Sequence, residues 1–213
     1  MTSDVKFPLT NQELAEIGKG NLVRLPATWS EYWEILATAE YRADYYNNEI
    51  IASMSYEGDI HSMIAARFNM FFGIIFEDSK LFRVYNSNRP IYSPACKSLK
   101  TGVFNADGMV VALPTVPYEY QAGMTAETNP ILLIEILSES TQSYDWGTKL
   151  PCYKEIASLQ QIFFIEQSRP KIFAMERESP NRWSETTLTE GEDAIVIQGS
   201  SILLQKIYRE LYF

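Results

Sequence analysis

The stretch Asn129-Pro130-Ile131-Leu132-Leu133-Ile134-Glu135-Ile136-Leu137-Ser138 decides the fold. Six apolar side chains within seven positions, entered through a proline and left through a Ser/Thr-rich turn, predict a strand covered on both faces in the middle of a sheet. Glu135 interrupts that run. Desolvating an ionised carboxylate costs several kcal/mol unless a cation, a metal or hydrogen-bond donors compensate. Two compensations suit the position: a buried ion pair with a lysine or arginine, or a place among the ligands of a metal at the centre of a site.

Working outward, the segments that could cover such a strand are legible from their periodicity. Between His61 and about Asp78, the apolar positions Ile64, Phe68, Phe71, Phe72 and Ile75 follow the rhythm of a helix packed on a sheet. Thr28 or Ser30 can cap an earlier helix running to about Glu40. Tyr45 to Met54 reads as two short strands around Asn47-Asn48, with Glu49 opening the second. Phe82 to Asn86 and Pro90 to Ser93 are short strands, and Phe104 to Leu113 is a longer one with Asp107 at its mouth. Residues 114 to 130, with three prolines and Gly123, predict a loop. Thr148 to Ala157 reads as a short helix that Pro151 forces to begin near Asp145 or to kink there. Gln161 to Glu166, Lys171 to Arg177 and Arg182 to Leu188 predict an antiparallel meander, after which a short tail closes the sheet edge.

The 213 residues are enough for one large domain, and the reading is an N-terminal arm over 1–27 and a single domain over 28–213. With 46% hydrophobic and 21% charged residues, the chain is composed like a folded globular protein. Its apolar runs fall far short of a membrane span, and Met1 to Gly20 is charged throughout, so the expectation is a soluble cytoplasmic protein with no membrane partner. Cys96 and Cys152 lack CxxC spacing and His61 is the lone imidazole, which argues against a structural zinc site and for two reduced thiols. Only a hard cation on oxygen ligands fits this composition. The formal charge of −9 weighs against tight non-specific binding of nucleic acid, although a local basic groove is compatible with it. Open strand edges and the aromatics Phe163, Phe164, Phe173, Trp183 and Tyr212 make a homodimer the expected assembly.

Set against the apolar strands, in order, stand Glu49, His61, Asp107, Glu135 and Lys149. Two acids at the ends of neighbouring strands can share a divalent cation, and a lysine within reach can hold a water or neutralise charge on a phosphate. Phosphodiester hydrolysis needs those parts. The bland alternatives are a turn-forming Asp107 beside Gly108, an exposed helix lysine at Lys149 and a hydrogen-bonded core histidine at His61.

The residues also carry a family resemblance over roughly Thr28 to Tyr208. Tyr45-Tyr46-Asn47-Asn48-Glu49-Ile50 is similar to Tyr-Glu-x-x-Asp-Gly-Glu-Ile, and Ala106-Asp107-Gly108-Met109-Val110-Val111 to Pro-Asp-Val-x-Val. Ile134-Glu135-Ile136-Leu137-Ser138-Glu139-Ser140-Thr141 is similar to Val-Glu-Val-Leu-Ser-Pro-Ser-Thr, and Asp145 to Tyr153 to Asp-x-x-x-Lys-x-x-x-Tyr. These segments resemble the Uma2 family of restriction-endonuclease-like proteins, within the PD-(D/E)XK nuclease-like superfamily.

What the resemblance implies is an α/β (α+β) domain with a restriction-endonuclease-like central mixed sheet flanked by helices, the antiparallel meander lying at its C-terminal end. It implies a Mg²⁺ site, with Mn²⁺ as the alternative ion, made by Asp107, Glu135 and the carbonyl of Ile136, and DNA as the substrate of an endonuclease. Leu137 stands where the usual E-x-K lysine would, and Lys149 resembles its migrated substitute; Glu49 is similar to an extra family acid that assists the metal or the attacking water. The chain departs from the pattern at Asn47-Asn48, Ala106, Glu139 and Pro151. With the net acidity, those departures support a second reading, a non-catalytic nuclease-like module acting in protein–protein assembly.

Overall fold

The computed structural model describes residues 7, 10–19, 21–52, 58–96 and 100–213. Its first part comprises α1 (Asn11–Gly18), β1 (Val23–Pro26), α2 (Trp29–Leu36), β2 (Ala43–Tyr46), β3 (Glu49–Ala52) and α3 (Asp59–Phe76). Next come β4 (Phe82–Asn86), β5 (Ile91–Cys96), β6 (Lys100–Phe104), β7 (Gly108–Ala112), β8 (Pro117–Gln121), β9 (Met124–Glu127) and β10 (Pro130–Leu137). A helical segment follows as α4 (Gln142–Tyr144), a π-helical turn (Asp145–Lys149) and α5 (Leu150–Lys154). The chain then forms β11 (Gln161–Glu166), β12 (Ile172–Ser179), β13 (Arg182–Leu188), β14 (Ala194–Ile197), β15 (Ser200–Leu203) and α6 (Leu204–Ile207).

The strands build two large sheets and one small one. A six-stranded sheet runs β13-β12-β11-β10-β7-β4, and a seven-stranded sheet runs β1-β3-β2-β6-β5-β9-β8. In the six-stranded sheet β10 lies between β11, to which it is parallel, and β7, to which it is antiparallel, so the Glu135 strand is interior, as its apolar run predicts.

Strand alternation assigns every β10 side chain to one of two layers. Leu132, Ile134 and Ile136 pack with Ile64, Phe68 and Phe72 of α3. Leu133 and Leu137 point the other way, into a core shared with β5, β6, α5 and the opposite sheet. Glu135 has the parity of Leu133 and Leu137, so its carboxylate enters the space between the two sheets. On the far side of the seven-stranded sheet, Ala43, Tyr45, Ile50, Ala52 and Val103 pack against Tyr32 and Trp33 of α2. By the same alternation Asp44 turns its side chain inward, toward Glu135.

Several expectations hold. Thr28 caps α2 in a reciprocal capping box with Glu31. The Asn47-Asn48 turn joins β2 to β3 with both residues at positive φ, 55° and 61°, the backbone of a type I′ hairpin that asparagine tolerates. The β11-β12-β13 meander is antiparallel throughout.

Other expectations need correction. Helix α2 ends at Leu36 and not near Glu40. The stretch read as an arm or a loosely attached short helix does supply a short helix, α1, capped by Thr10, and adds the edge strand β1, paired with β3. The single strand expected over Phe104 to Leu113 is two, because β6 pairs with β2 and β5 while β7 pairs with β4 and β10. The chain changes sheets across Asn105-Ala106-Asp107, which an apolar pattern alone does not register. The loop expected over 114–130 contains the β8-β9 hairpin, turned at Gly123 with φ 79°. The tail forms a separate two-stranded sheet, in which β14 and β15 pair with each other and, among the described residues, with no strand of the main sheet. Phe163 and Phe164, offered as surface aromatics for a dimer, are fully buried, while Tyr212 is exposed. Met54 of the predicted second hairpin strand lies outside the described residues.

Cys96 and Cys152, expected as separate thiols, are paired as a disulfide across 56 residues of sequence, with Cα atoms 4.5 Å apart. Packing of α5 against β5 brings them together, a tertiary contact that no local spacing signals.

Arg177 anchors the connection out of α5. Its guanidinium donates to the carbonyls of Lys154 (2.9 Å), Ile156 (2.8 Å) and Leu159 (2.6 Å) and lies 4.4 Å over the Trp183 ring. The Lys154 carbonyl is the last of α5, and those of Ile156 and Leu159 belong to the connection that leads into β11. Arg177→Ala is expected to lower stability by about 2–3 kcal/mol, and Arg177→Lys, which lacks the planar fork, to recover less than half of that in urea melts.

Candidate active site

The space between the sheets holds a group of charged side chains around the Lys149 ammonium. Lys149 Nζ lies 3.1 Å and 3.2 Å from the two Glu135 carboxylate oxygens, 3.3 Å from Asp145 Oδ1 and 3.7 Å from Asp44 Oδ2. It also donates to the carbonyl of Asn105 at 3.2 Å. Glu135, Asp145, Asp44 and Lys149 are all buried. The Tyr153 hydroxyl donates to Glu135 Oε1 at 2.5 Å.

Local sequence explains how Lys149 reaches this position. The helical segment widens to a π-turn over Asp145–Lys149, two residues ahead of Pro151, whose missing N–H leaves the backbone ladder one donor short. Trp146 fixes the turn by edge-on contacts with Phe164 and Phe173, at 4.8 Å and 4.9 Å between ring centres. Asp145 and Lys149 then point to the same side, and Tyr153 one turn later follows them. Pro151 therefore accompanies a widened helix and not a broken one.

Asp107 stands at the strand mouth, as predicted. Its backbone N–H donates to the Ile134 carbonyl at 2.9 Å, and its Oδ2 accepts from the Ile136 N–H at 2.7 Å. A strand residue turns its N–H and C=O to the same neighbour, so the Ile136 carbonyl also points toward the Asp107 side. His61 Nε2 lies 3.4 Å from Asp107 Oδ2. The structure thus brings Asp107, Glu135, Lys149 and the Ile136 backbone together, with His61 beside them.

Glu49 is placed differently. It pairs with Arg24 at 3.4 Å, and both side chains are more than a third exposed. Arg24 in turn lies 5.4 Å over the ring of Tyr144, so Glu49 belongs to the rim of the cleft and is not a contact of Lys149.

Asp44 and Tyr144 are the residues the sequence reading passed over. Asp44 Oδ1 accepts from the Asn105 backbone N–H (2.8 Å) and side-chain amide (2.9 Å), and its Oδ2 accepts from the Tyr144 hydroxyl at 3.0 Å. The signal was present: counting back from Glu49 along Tyr-Glu-x-x-Asp-Gly-Glu-Ile places the first acid of that motif on Asp44.

The electrostatics follow from four carboxylates around one ammonium. Burial pulls Lys149 down, but Glu135, Asp145, Asp44 and Asp107 together raise it well above the usual lysine value, so it stays charged. Burial, reinforced by Asp145 and Asp107, pushes the Glu135 carboxyl well above the ordinary 4.5 despite Lys149. Burial also raises Asp107, yet the hydrogen bond and charge of His61, with the Ile136 N–H, bring it below the usual value. A raised carboxyl binds its proton more tightly in the folded state, so the stability it contributes is full below 4.5 and is lost as pH rises through the folded value. Urea melts of the metal-free protein should therefore show stability falling as pH rises from 4.5 toward the raised folded value and levelling off above it. Glu135→Gln should flatten the decline by up to ~1.4 kcal/mol per pH unit.

Whether these residues suit a divalent cation turns on the donor set. Among the described residues, no group of three or more His, Cys, Asp or Glu side chains stands together in metal-holding geometry. The cleft nevertheless gathers hard oxygens in excess of positive charge, and Lys149 occupies the position of the compensating cation. Asp107, Glu135 and the Ile136 carbonyl are hard oxygen donors of the kind such an ion takes.

Comparison with known proteins is consistent with this geometry. The Uma2 family, described as "Putative restriction endonuclease", matches residues 29–202. A crystal structure titled as a "putative nuclease belonging to DUF820" from Anabaena variabilis ATCC 29413 superposes with a TM-score of 0.62 at 16% identity, covering 94% of this chain and 98% of that one. At that identity the likeness bears on the fold. No curated protein matches the sequence.

Proposed function

The chain belongs to the Uma2 family, and from that premise we propose that it is a Mg²⁺- or Mn²⁺-dependent endonuclease that hydrolyses phosphodiester bonds in DNA. The observation that carries the reading is the gathering of Asp107, from the turn that enters β7, Glu135 of β10 and Lys149 of the helical segment about one cleft. Asp107, Glu135 and the Ile136 carbonyl would hold the cation. When bound, it supplies Lewis-acid polarisation of the phosphate and a more acidic water.

The chain's own groups do the rest. Lys149, held charged by its carboxylate neighbours, is a donor and not a base; it orients a water or neutralises charge gathering on a phosphate oxygen. Asp145 and Asp44 keep the ammonium aimed at Glu135, and Tyr153 fixes the carboxylate rotamer through its hydroxyl. Arg24, at the rim over Tyr144, is placed to meet a backbone phosphate, with Glu49 steering it.

The second reading, a non-catalytic module, draws on one observation, the closed set of contacts Lys149 makes with Glu135, Asp145, Asp44 and Asn105. Incubation of the wild type with linear and supercoiled DNA separates the two. Cleavage that requires Mg²⁺ or Mn²⁺ and stops in EDTA supports the nuclease; intact DNA at high protein concentration with either ion supports the module.

A further inference from the structure

On the outer side of the β2-β3 hairpin, away from Asp44, lies an open cavity of about 390 Å³ that the nuclease chemistry does not use. Trp29, Tyr45, Tyr92 and Tyr118 line it, with Asn48 at the hairpin turn and Lys100 at its border. The volume is that of a site for one small planar molecule. Tyr92 and Tyr118 lie parallel, with centroids 4.0 Å apart and planes 11° apart, and Trp29 meets Tyr45 edge-on at 5.2 Å. Three of the four rings, Trp29, Tyr92 and Tyr118, are only half-buried, which is uncommon for so many aromatic faces gathered around an open space. The Tyr45 hydroxyl occupies the Asn48 side-chain oxygen at 3.1 Å, which leaves the Asn48 amide N–H groups to meet a polar edge.

The wall chemistry selects the occupant. A flat ring with hydrogen-bonding atoms at its edge and a negative group beside it satisfies the aromatic faces, the amide and the lysine together, and a nucleotide has all three features. Lys100 also connects the cavity with the cleft. Its ammonium lies 5.8 Å from the ring of Tyr46, which shares a strand face with Asp44. Asp44 and Asn48 are four residues apart on one hairpin, at most about 13 Å of extended chain.

We propose that this cavity seats an unpaired base of the nucleic-acid substrate, whose backbone passes over the hairpin tip and Lys100 toward the acidic cleft. The proposal rests on the nuclease reading for its substrate class, and it makes the preferred substrate a single-stranded end or gap in DNA, because a base inside a duplex cannot enter the cavity.

Binding measured in EDTA keeps this separate from cleavage. The probes are a labelled single-stranded dT oligonucleotide and an abasic sugar-phosphate oligomer of equal length and charge, followed by fluorescence anisotropy. The wild type should bind the base-bearing strand about 5-fold or more tightly than the abasic one, the loss expected from one missing base–aromatic stack. Tyr118→Ala should erase that preference, with Tyr118→Leu serving the same purpose if the smaller side chain impairs folding. Lys100→Gln should weaken both strands alike and reduce the salt dependence by about one counterion. Equal wild-type affinity for the two strands, no binding of either, or a preference that survives loss of the Tyr118 ring overturns the proposal. Metal-dependent cleavage without base preference removes the cavity's role and leaves the nuclease; base-dependent binding without cleavage does the reverse.

Discussion

Lys149→Met is expected to destabilise the metal-free protein by about 3–5 kcal/mol, the usual result of stripping one partner from a buried ion pair. The physical cause is the asymmetry of the cleft. Lys149 is within 4 Å of the carboxylates of Glu135, Asp145 and Asp44, and it also compensates the charge of Asp107. Methionine fills similar volume but leaves these acids to repel one another in a buried space, so they must take up protons or the sheets must part. Melting in EDTA should show the full loss. Excess Mg²⁺ should restore part of it, because a divalent cation binding only the folded state stabilises that state by mass action. Melting within ~1 kcal/mol of the wild type in EDTA would mean that the ammonium is not the compensating charge of the cleft.

Glu135→Gln should give the opposite pattern. The amide keeps the shape of the side chain and can still accept from Tyr153, while Lys149 keeps Asp145 and Asp44 as partners. Burial already strains the Glu135 carboxylate, so removing its charge should leave metal-free stability level or slightly raised. Cleavage of DNA should fall by about 10²–10³-fold or more, since the position contributes charge that a neutral amide cannot supply. Stabilisation of the wild type by Mg²⁺ should vanish in the same variant. The pair of variants therefore decides between the two readings by sign. If both destabilise the protein by similar amounts and Mg²⁺ leaves the wild type unmoved, Glu135 and Lys149 are an ion pair that ties a helix to its sheet, and the fold serves assembly.

The acidic surface is compatible with either outcome. A net charge of −9 disfavours broad association with DNA, whereas Arg24 and Lys100 stand at the rim of the cleft and beside the hairpin cavity, where a short contact is enough. Cys152 precedes Tyr153, so the Cys96–Cys152 bridge ties the helix of the cleft to β5 of the seven-stranded sheet.

What the sequence determined by itself was everything that depends on local pattern. The β10 run is interior because its residues are apolar at both parities, α3 follows from its repeat, and the β2-β3 hairpin follows from Asn47-Asn48. Glu135 announced itself by being charged where its neighbours are not, and the spacing from Asp145 through Lys149 to Tyr153 put three polar groups on one helical side. Tertiary structure decided the remainder. Asn105-Ala106-Asp107 changes sheets because β6 and β7 find different partners, and partner choice is a long-range competition invisible in a hydropathy pattern. Asp44 became part of the cleft only when strand alternation turned it inward beneath a second sheet, where it meets Tyr144 and Lys149 from 100 or more residues along the chain. The disulfide, the outward place of Glu49 and the aromatic cavity have the same origin. Each depends on which faces of two sheets meet, and a chain's composition and spacing specify faces before they specify which of them come together.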